Sequence, residues 1–242
     1  TEEWHRFSLL FRTKAQEDGY LKYHAQSTLN SAHFMGSVSV LVHLSFMLFR
    51  LVNYPLWRDS DRETVTLWWT FLVIWSFGLC GSVFLVILPC FKKFTSLTIN
   101  EIIVSFSVSL ILISCFSIQN VMARMHGFEL EDDECFLEGD GFTTLPISAI
   151  LSASHMALSI RWCVILPSEI FCILLYTSVR VSLRMPVRVT LFNVVFLSVL
   201  VLFISLGKRR LELAERRFFL TVIKERKLRV EAEFELSKRR DE

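Results

Sequence analysis

The chain carries almost no excess charge. Its 26 Lys and Arg against 24 Asp and Glu leave a formal net charge of +2, too small a surplus to imply a nucleic-acid partner. It has no C-x-x-C pair, so a zinc or thiol-redox motif has no support. It has no N-x-[ST] sequon, which is neutral, and nothing resembling the TVGYG filter of potassium channels. The opening "TEEWHRF" lacks both an initiator Met and the basic-then-apolar pattern of a signal peptide. The expectation is a piece of a longer protein.

What the chain has is apolar sequence. Of its 242 residues 52% are hydrophobic, and the mean hydropathy is +0.46. Apolar runs longer than about 14 residues recur, which is unusual for a soluble domain and points to the bilayer as solvent. Cys80, Cys90, Cys115, Cys163 and Cys172 lie in such runs. Cys135 stands alone in a polar loop and reads as a free or structural thiol. On the outer side of a membrane it would allow a disulfide only between chains.

The expected fold is all-α and polytopic, with six transmembrane helices and a long cytoplasmic C-terminal helix. Residues 1–30 are polar and helix-compatible, without a spanning run. The spans are read as 31–52, 67–89, 99–122, 144–160, 163–179 and 187–206. A crossing needs about 20 residues, so the fourth and fifth are slightly short. Read as one helix they would be too long, and Arg161 would sit at mid-membrane at a cost of about 3 kcal/mol. Trp68 and Trp69 open the second span where an interfacial belt is expected. The domain division is therefore 1–30, 31–206 and 207–242.

Six spans place both ends on one side. Arg6, Arg12, Lys14, Lys22, Lys92, Lys93, Arg161 and the basic tail fall there, opposite the acidic loop "ELEDDECFLEGDG". The positive-inside rule makes that side cytoplasmic, against the dissent of Arg180, Arg184 and Arg188. A plasma-membrane location is expected. The tail from Lys208 to Glu242 is rich in strong helix formers and has no Gly or Pro. Glu212 with Arg216, and Glu225 with Arg229, stand at i,i+4 spacing. Phe219, Ile223, Val230 and Phe234 fit parts of a heptad, with Arg226 and Glu233 interrupting the seam. Alone such a helix is marginal; a parallel partner would cover Phe219 and Ile223.

Arg209, Glu212, Arg216, Phe219 and Leu220 spell R-x-x-E-x-x-x-R-x-x-F-L directly after the sixth span. This resembles the signalling helix of the membrane-bound class III nucleotide cyclases, the adenylyl and guanylyl cyclases. Before the first span, Phe11, Glu17 and Tyr20 resemble the family's loose F…E-x-x-Y pattern. The resemblance implies a six-helix membrane domain whose last helix leads into a catalytic domain, and it spans essentially all 242 residues. It implies that Mg and ATP or GTP belong to that catalytic domain, with no cofactor or metal held here. The family's metal-binding aspartates have no positions in these residues, so no catalytic residue is carried over. It also implies a second copy, or a second membrane cassette, pairing through the C-terminal helix, with Ile223 in the seam. The chain would then anchor, dimerise and regulate a cyclase.

Other classes leave weaker traces. His33, His43 and His155 lie in apolar spans, but axial haem ligation needs histidines paired at matching depth; hydrogen bonding within the bundle is the plainer role. Arg180, Arg184 and Arg188 recur every four residues, as in a voltage sensor, yet they flank Pro186 rather than lie within one span. A small channel or transporter with a coiled-coil tail is the alternative, with Glu101 and Glu169 as candidate intramembrane acids. Placement near a helix N-terminus accounts for Glu101 more simply. The acidic loop with Glu129, Glu131, Asp132, Asp133 and Glu134 reads as solvated, a bound cation being the sharper alternative.

Overall fold

The computed structural model describes residues 9–11, 13–53, 62–91, 97–117, 121, 133–184 and 186–241. They form helices and no strand. In chain order these are α1 (Lys14–Asn53), α2 (Arg62–Ile87) with a short 3-10 turn (Leu88–Phe91), α3 (Leu97–Ser114), α4 (Asp133–Ala157), α5 (Trp162–Ser182) and α6 (Val187–Asp241).

Four of the six, α1, α2, α5 and α6, hold stretches long and apolar enough to cross a membrane. The chain has the build of a multi-pass membrane protein. Six spans were expected. Helix α3 ends in a turn after Ser114, eight residues before the expected end at Met122, and its apolar stretch Thr98–Ser114 falls short of spanning length. Helix α4 is 25 residues long but opens on "DECFLEGDG", so four acidic residues and two glycines break up the apolar character of its first third. It begins ahead of the expected start at Thr144. Residues 129–132 of the acidic loop lie outside the described residues, as do the side chains of Asp133, Glu134 and Cys135.

The two end helices exceed any bilayer. At 1.5 Å per residue α1, with 40 residues, is about 60 Å long, and α6, with 55, is about 80 Å. Neither is interrupted at the expected boundaries after residues 30 and 206. Each is one continuous rod running from an apolar half into a charged half. On the apolar halves, large side chains such as Leu41, Phe49, Phe192 and Phe203 are exposed, and so wide an apolar surface suits contact with lipid or with another membrane helix.

Helix α3 holds the middle. Its Val104, Val108, Ile111 and Leu112 are buried among Leu29 and Leu85 on one side and Leu151, Cys172, Tyr176 and Leu197 on the other. Close approach of α1, α2 and α3 depends on glycine. A Cβ on Gly36 would lie 2.7 Å from that of Leu85, and one on Gly81 would lie 2.5 Å from the Ser107 carbonyl. Small residues let backbones approach where apolar burial gives no drive against lipid.

Candidate functional site

Among the described residues three groups of buried polar side chains stand out. The first centres on His43, in the apolar half of α1. Its ring lies 2.7 Å from the Ser39 carbonyl and 3.1 Å from the Ser114 hydroxyl. Ser39 and Ser82 hydroxyls meet at 2.7 Å, and the Trp75 indole N–H donates to the His43 carbonyl at 3.3 Å. His33 contacts the Val86 carbonyl at 3.0 Å. Both histidines thus hydrogen-bond within the bundle.

In the second group Glu169 of α5, fully buried, ties three helices. Its carboxylate lies 2.5 Å from His155 Nε2 of α4 and accepts the Ser205 hydroxyl of α6. The other ring nitrogen of His155 contacts the Leu151 carbonyl at 2.9 Å. The Ser205 hydroxyl thus gives the buried carboxylate one hydrogen bond, while Glu169 Oε1 and His155 Nε2 lie close without hydrogen-bond geometry.

The third group is a charged collar where the charged halves of α1 and α6 meet the α4–α5 junction. Lys208, Glu212 and Arg216 stand four residues apart and so share one face of α6. Lys208 donates to the carbonyls of Leu158, at 2.6 Å, and His155, at 3.4 Å, which close the C-terminus of α4. Glu212 accepts the backbone N–H of Trp162, the first residue of α5, at 2.9 Å. A cation thus meets a helix C-terminus and a carboxylate a helix N-terminus, the pairing that helix dipoles favour. One turn of α6 clasps the end of one helix and the start of the next.

Arg216 completes the clasp. Its side chain is fully buried and donates to Glu17 at 2.7 and 3.2 Å and to Glu212 at 3.0 Å, with Nη2 2.9 Å from the same Glu212 oxygen as an ion pair. The guanidinium carbon lies 4.2 Å from the Tyr20 ring centroid and 5.0 Å from that of Phe11, so cation–π attraction replaces part of the lost hydration. Glu17 also accepts the Phe11 backbone N–H at 2.9 Å. Arg161, just before α5, links onward: 3.6 Å from Glu17 and 2.5 Å from Glu101 of α3, which also accepts its backbone N–H at 3.1 Å. Glu17, Glu101 and Glu212 balance Lys208, Arg161 and Arg216, which permits so much buried charge. Burial drives the Lys208 ammonium below its ordinary value. It raises the Glu212 carboxyl, although the Trp162 N–H and Arg216 favour the ionised form.

An aromatic layer seals the collar. Phe11, Tyr20, Phe219 and Leu220 form one buried cluster, with the Phe219 ring 5.6 Å from Tyr20 in an edge-to-face arrangement and 6.2 Å from Phe11. His24 packs on Tyr20 at 4.4 Å and lies 4.0 Å from Glu215. Burial lowers its pKa against the opposing pull of Glu215.

The structure therefore gathers Phe11, Glu17, Tyr20, Glu212, Arg216, Phe219 and Leu220 at one place. Arg209 sits to the side, its guanidinium 5.9 Å from the Trp162 ring centroid. Ile223 does not join. It is 42% exposed, while Phe219, expected to await the same partner helix, is already covered by α1. Sequence reasoning missed Lys208 and the joining role of Arg161. The i, i+4, i+8 stripe of Lys208, Glu212 and Arg216 could have signalled a buried face. Arg180 lies in the last turn of α5, buried against Tyr176 at 5.8 Å. Arg184 lies in the following turn with a positive φ of 51°, and Arg188 in the first turn of α6. Among the described residues no group of three or more metal-ligating side chains comes together. No family model, curated protein or solved structure matches this chain.

Proposed function

We propose that this chain is the membrane anchor and regulatory domain of a class III nucleotide cyclase, with α6 as the connector to the catalytic part. One observation carries the reading. The two stretches that resemble that family, around Glu17 and around Arg216, lie 199 residues apart and meet in a double hydrogen bond. A shared motif pair makes physical sense if its two halves are one device. The collar fixes the angle and rotation of α6 as it leaves the bundle, and from Lys224 onward the helix is exposed, as a connector awaiting a partner would be.

In this reading the chain crosses a plasma membrane six times with both ends in the cytoplasm. Contacts between the charged halves of α1 and α6 support an even number of crossings, and the junctions at Glu101 and Arg161 lie at that same end. A second copy or second cassette would pair along α6 through Ile223, Val230 and Phe234. Small changes of register there would align or misalign a catalytic site shared between partners.

The test is cyclase output of the full-length parent in membranes, with Mg and ATP or GTP as substrates. Phe219→Ala with Ile223→Ala should abolish or uncouple it. Unchanged output and regulation would defeat the connector role. Ion flux through reconstituted protein without any cyclic-nucleotide synthesis would favour a channel or transporter instead.

A further inference from the structure

Two buried polar atoms stand together where α4, α5 and α6 meet. His155 Nε2 and Glu169 Oε1 are 2.5 Å apart. Both are shielded from solvent, and neither is in a hydrogen bond. The surroundings fix what each can be. The Leu151 carbonyl, 2.9 Å from His155 Nδ1, can only accept, so Nδ1 carries the ring hydrogen. A neutral ring then turns the bare lone pair of Nε2 toward Glu169. An ionised Glu169 answers with a lone pair of its own. Two lone pairs at that distance repel, and the Ser205 hydroxyl is a weak answer to a full charge in an apolar bundle.

We propose that His155 and Glu169 form a proton-binding site, in which one proton held between Nε2 and Oε1 joins α4 to α5 and leaves the pair without net charge. An imidazolium facing a carboxylate and an imidazole facing a carboxylic acid are two forms of that state, and the pair titrates as one unit. Loss of the proton to water leaves one negative charge and the opposed lone pairs in its place. A metal ion fits less well. With bonds of about 2.0–2.2 Å to nitrogen and oxygen, it would be forced into an acute angle between the two atoms. Among the described residues no third metal-ligating side chain joins them.

The packed elements present few other ionisable groups to the pair. From α6 the Lys208 ammonium holds the carbonyls of His155 and Leu158. On α5 Cys172 lies within electrostatic reach of Glu169, and Cys115 of α3 faces Cys172 in turn. From α1 the Thr28 hydroxyl meets the Ser159 carbonyl just past α4. Glu101 and Glu212 are matched with Arg161 and Arg216 in the collar. Ser205 and Lys208 stand three residues apart on α6 and so share a face. Through them α6 is fastened to both members of the pair, to the Glu169 carboxylate and to the His155 carbonyl. The proton therefore acts on the junction from which α6 leaves the bundle. This site needs only the fold and stands apart from the cyclase reading.

The test counts that proton in the native chain, purified in neutral detergent near neutral pH. Nitrogen NMR of ring-labelled histidines, with His155 assigned by His155→Gln, reads whether Nε2 carries a hydrogen. Infrared difference against Glu169→Gln reads whether Glu169 is a carboxylic acid. One of the two, and not both, is expected. A bare Nε2 facing a carboxylate overturns the proposal, as does a proton on each. So does a metal ion retained at one per chain by the native protein and lost in His155→Gln. Equilibrium unfolding in micelles gives a second readout. Glu169→Gln offers a permanent N–H in place of the proton. The folded native chain keeps one proton that the unfolded chain gives up above the ordinary histidine value of about 6.5. Its unfolding constant should therefore rise about tenfold per pH unit, relative to that of Glu169→Gln, as pH climbs above that value. Parallel pH profiles for the two proteins overturn the proposal. Should Glu169→Gln fail to fold, the nitrogen shift of His155 Nε2 decides alone, since either form of the shared proton moves it away from that of a bare lone pair.

Discussion

Glu17 and Arg216, 199 positions apart, are joined by two hydrogen bonds of 2.7 and 3.2 Å, and the arginine has no exposed surface. Removing one partner of such a pair strands the other. Arg216→Ala leaves Glu212 buried and Glu17 mostly so, and should cost about 3–5 kcal/mol. Glu17→Ala should cost less, because Glu212 still pairs with the guanidinium. Chemical unfolding in micelles of both single variants and the double variant should give a coupling above about 1 kcal/mol. Additive costs would mean that the pair holds nothing together.

The clasp at the α4–α5 junction makes a separate prediction. Lys208→Met keeps the bulk of the side chain but abandons the Leu158 and His155 carbonyls. A loss of about 1–2 kcal/mol is expected. Faster hydrogen exchange at residues 155–162 should accompany it, with α2 unaffected. Glu212→Gln should accelerate exchange at the Trp162 amide above all.

Helix packing around His43 has no slack. A methyl group on Gly78 would overlap His43 and Ser114. Gly78→Ala should destabilise the bundle by about 1–3 kcal/mol. Adding His43→Ala should recover part of that loss, since it empties the space the methyl needs. Equal unfolding midpoints for native protein and Gly78→Ala would count against the packing of α1 on α2.

His24 gives the collar a pH dependence. Its packed form has a pKa below the ordinary 6.5, chiefly through burial, with Arg216 and Lys208 also lowering it and Glu215 raising it. The undocked histidine takes up a proton more readily than the packed one. Docking of α1 on α6 is therefore strongest above the ordinary histidine value and weakens as pH falls through about 6.5. Limited proteolysis of the charged half of α1 should speed up between pH 7.5 and 5.5. His24→Gln should flatten that profile.

Much of the architecture was legible in the sequence. Apolar run length marked the four helices long and apolar enough to cross a membrane, and the absence of Gly and Pro after Gly207 marked the unbroken tail. The pause at Arg161 was readable too, because a single helix through it would strand a charge in lipid. The spans that did not reach full size, α3 and α4, were harder. Hydropathy runs through Cys115 and Phe116 without marking the turn that ends α3 at Ser114. In the collar, Glu212 and Arg216 were readable as an i,i+4 pair. Their burial was not, since the same spacing decorates exposed helices such as the stretch holding Lys227 and Glu231, 3.7 Å apart in solvent. What buries one pair and leaves the other wet is α1 arriving from 200 residues away. No local pattern encodes that arrival. Phe219 misled for the same reason: an aromatic residue on a charged helix implies a cover, but not whose.

The continuity of α6 sets a mechanical gain. Between Arg216 and Asp241 lie 25 helical steps, about 37 Å at 1.5 Å each. No glycine or proline interrupts them, so a partner helix that held the segment rigid would make it a lever with its fulcrum at Arg216. On such a lever a tilt of about 5° at Arg216 would carry Asp241 through about 3 Å. The length of the helix alone would thereby magnify an atomic-scale tilt to the width of a side chain at the far tip.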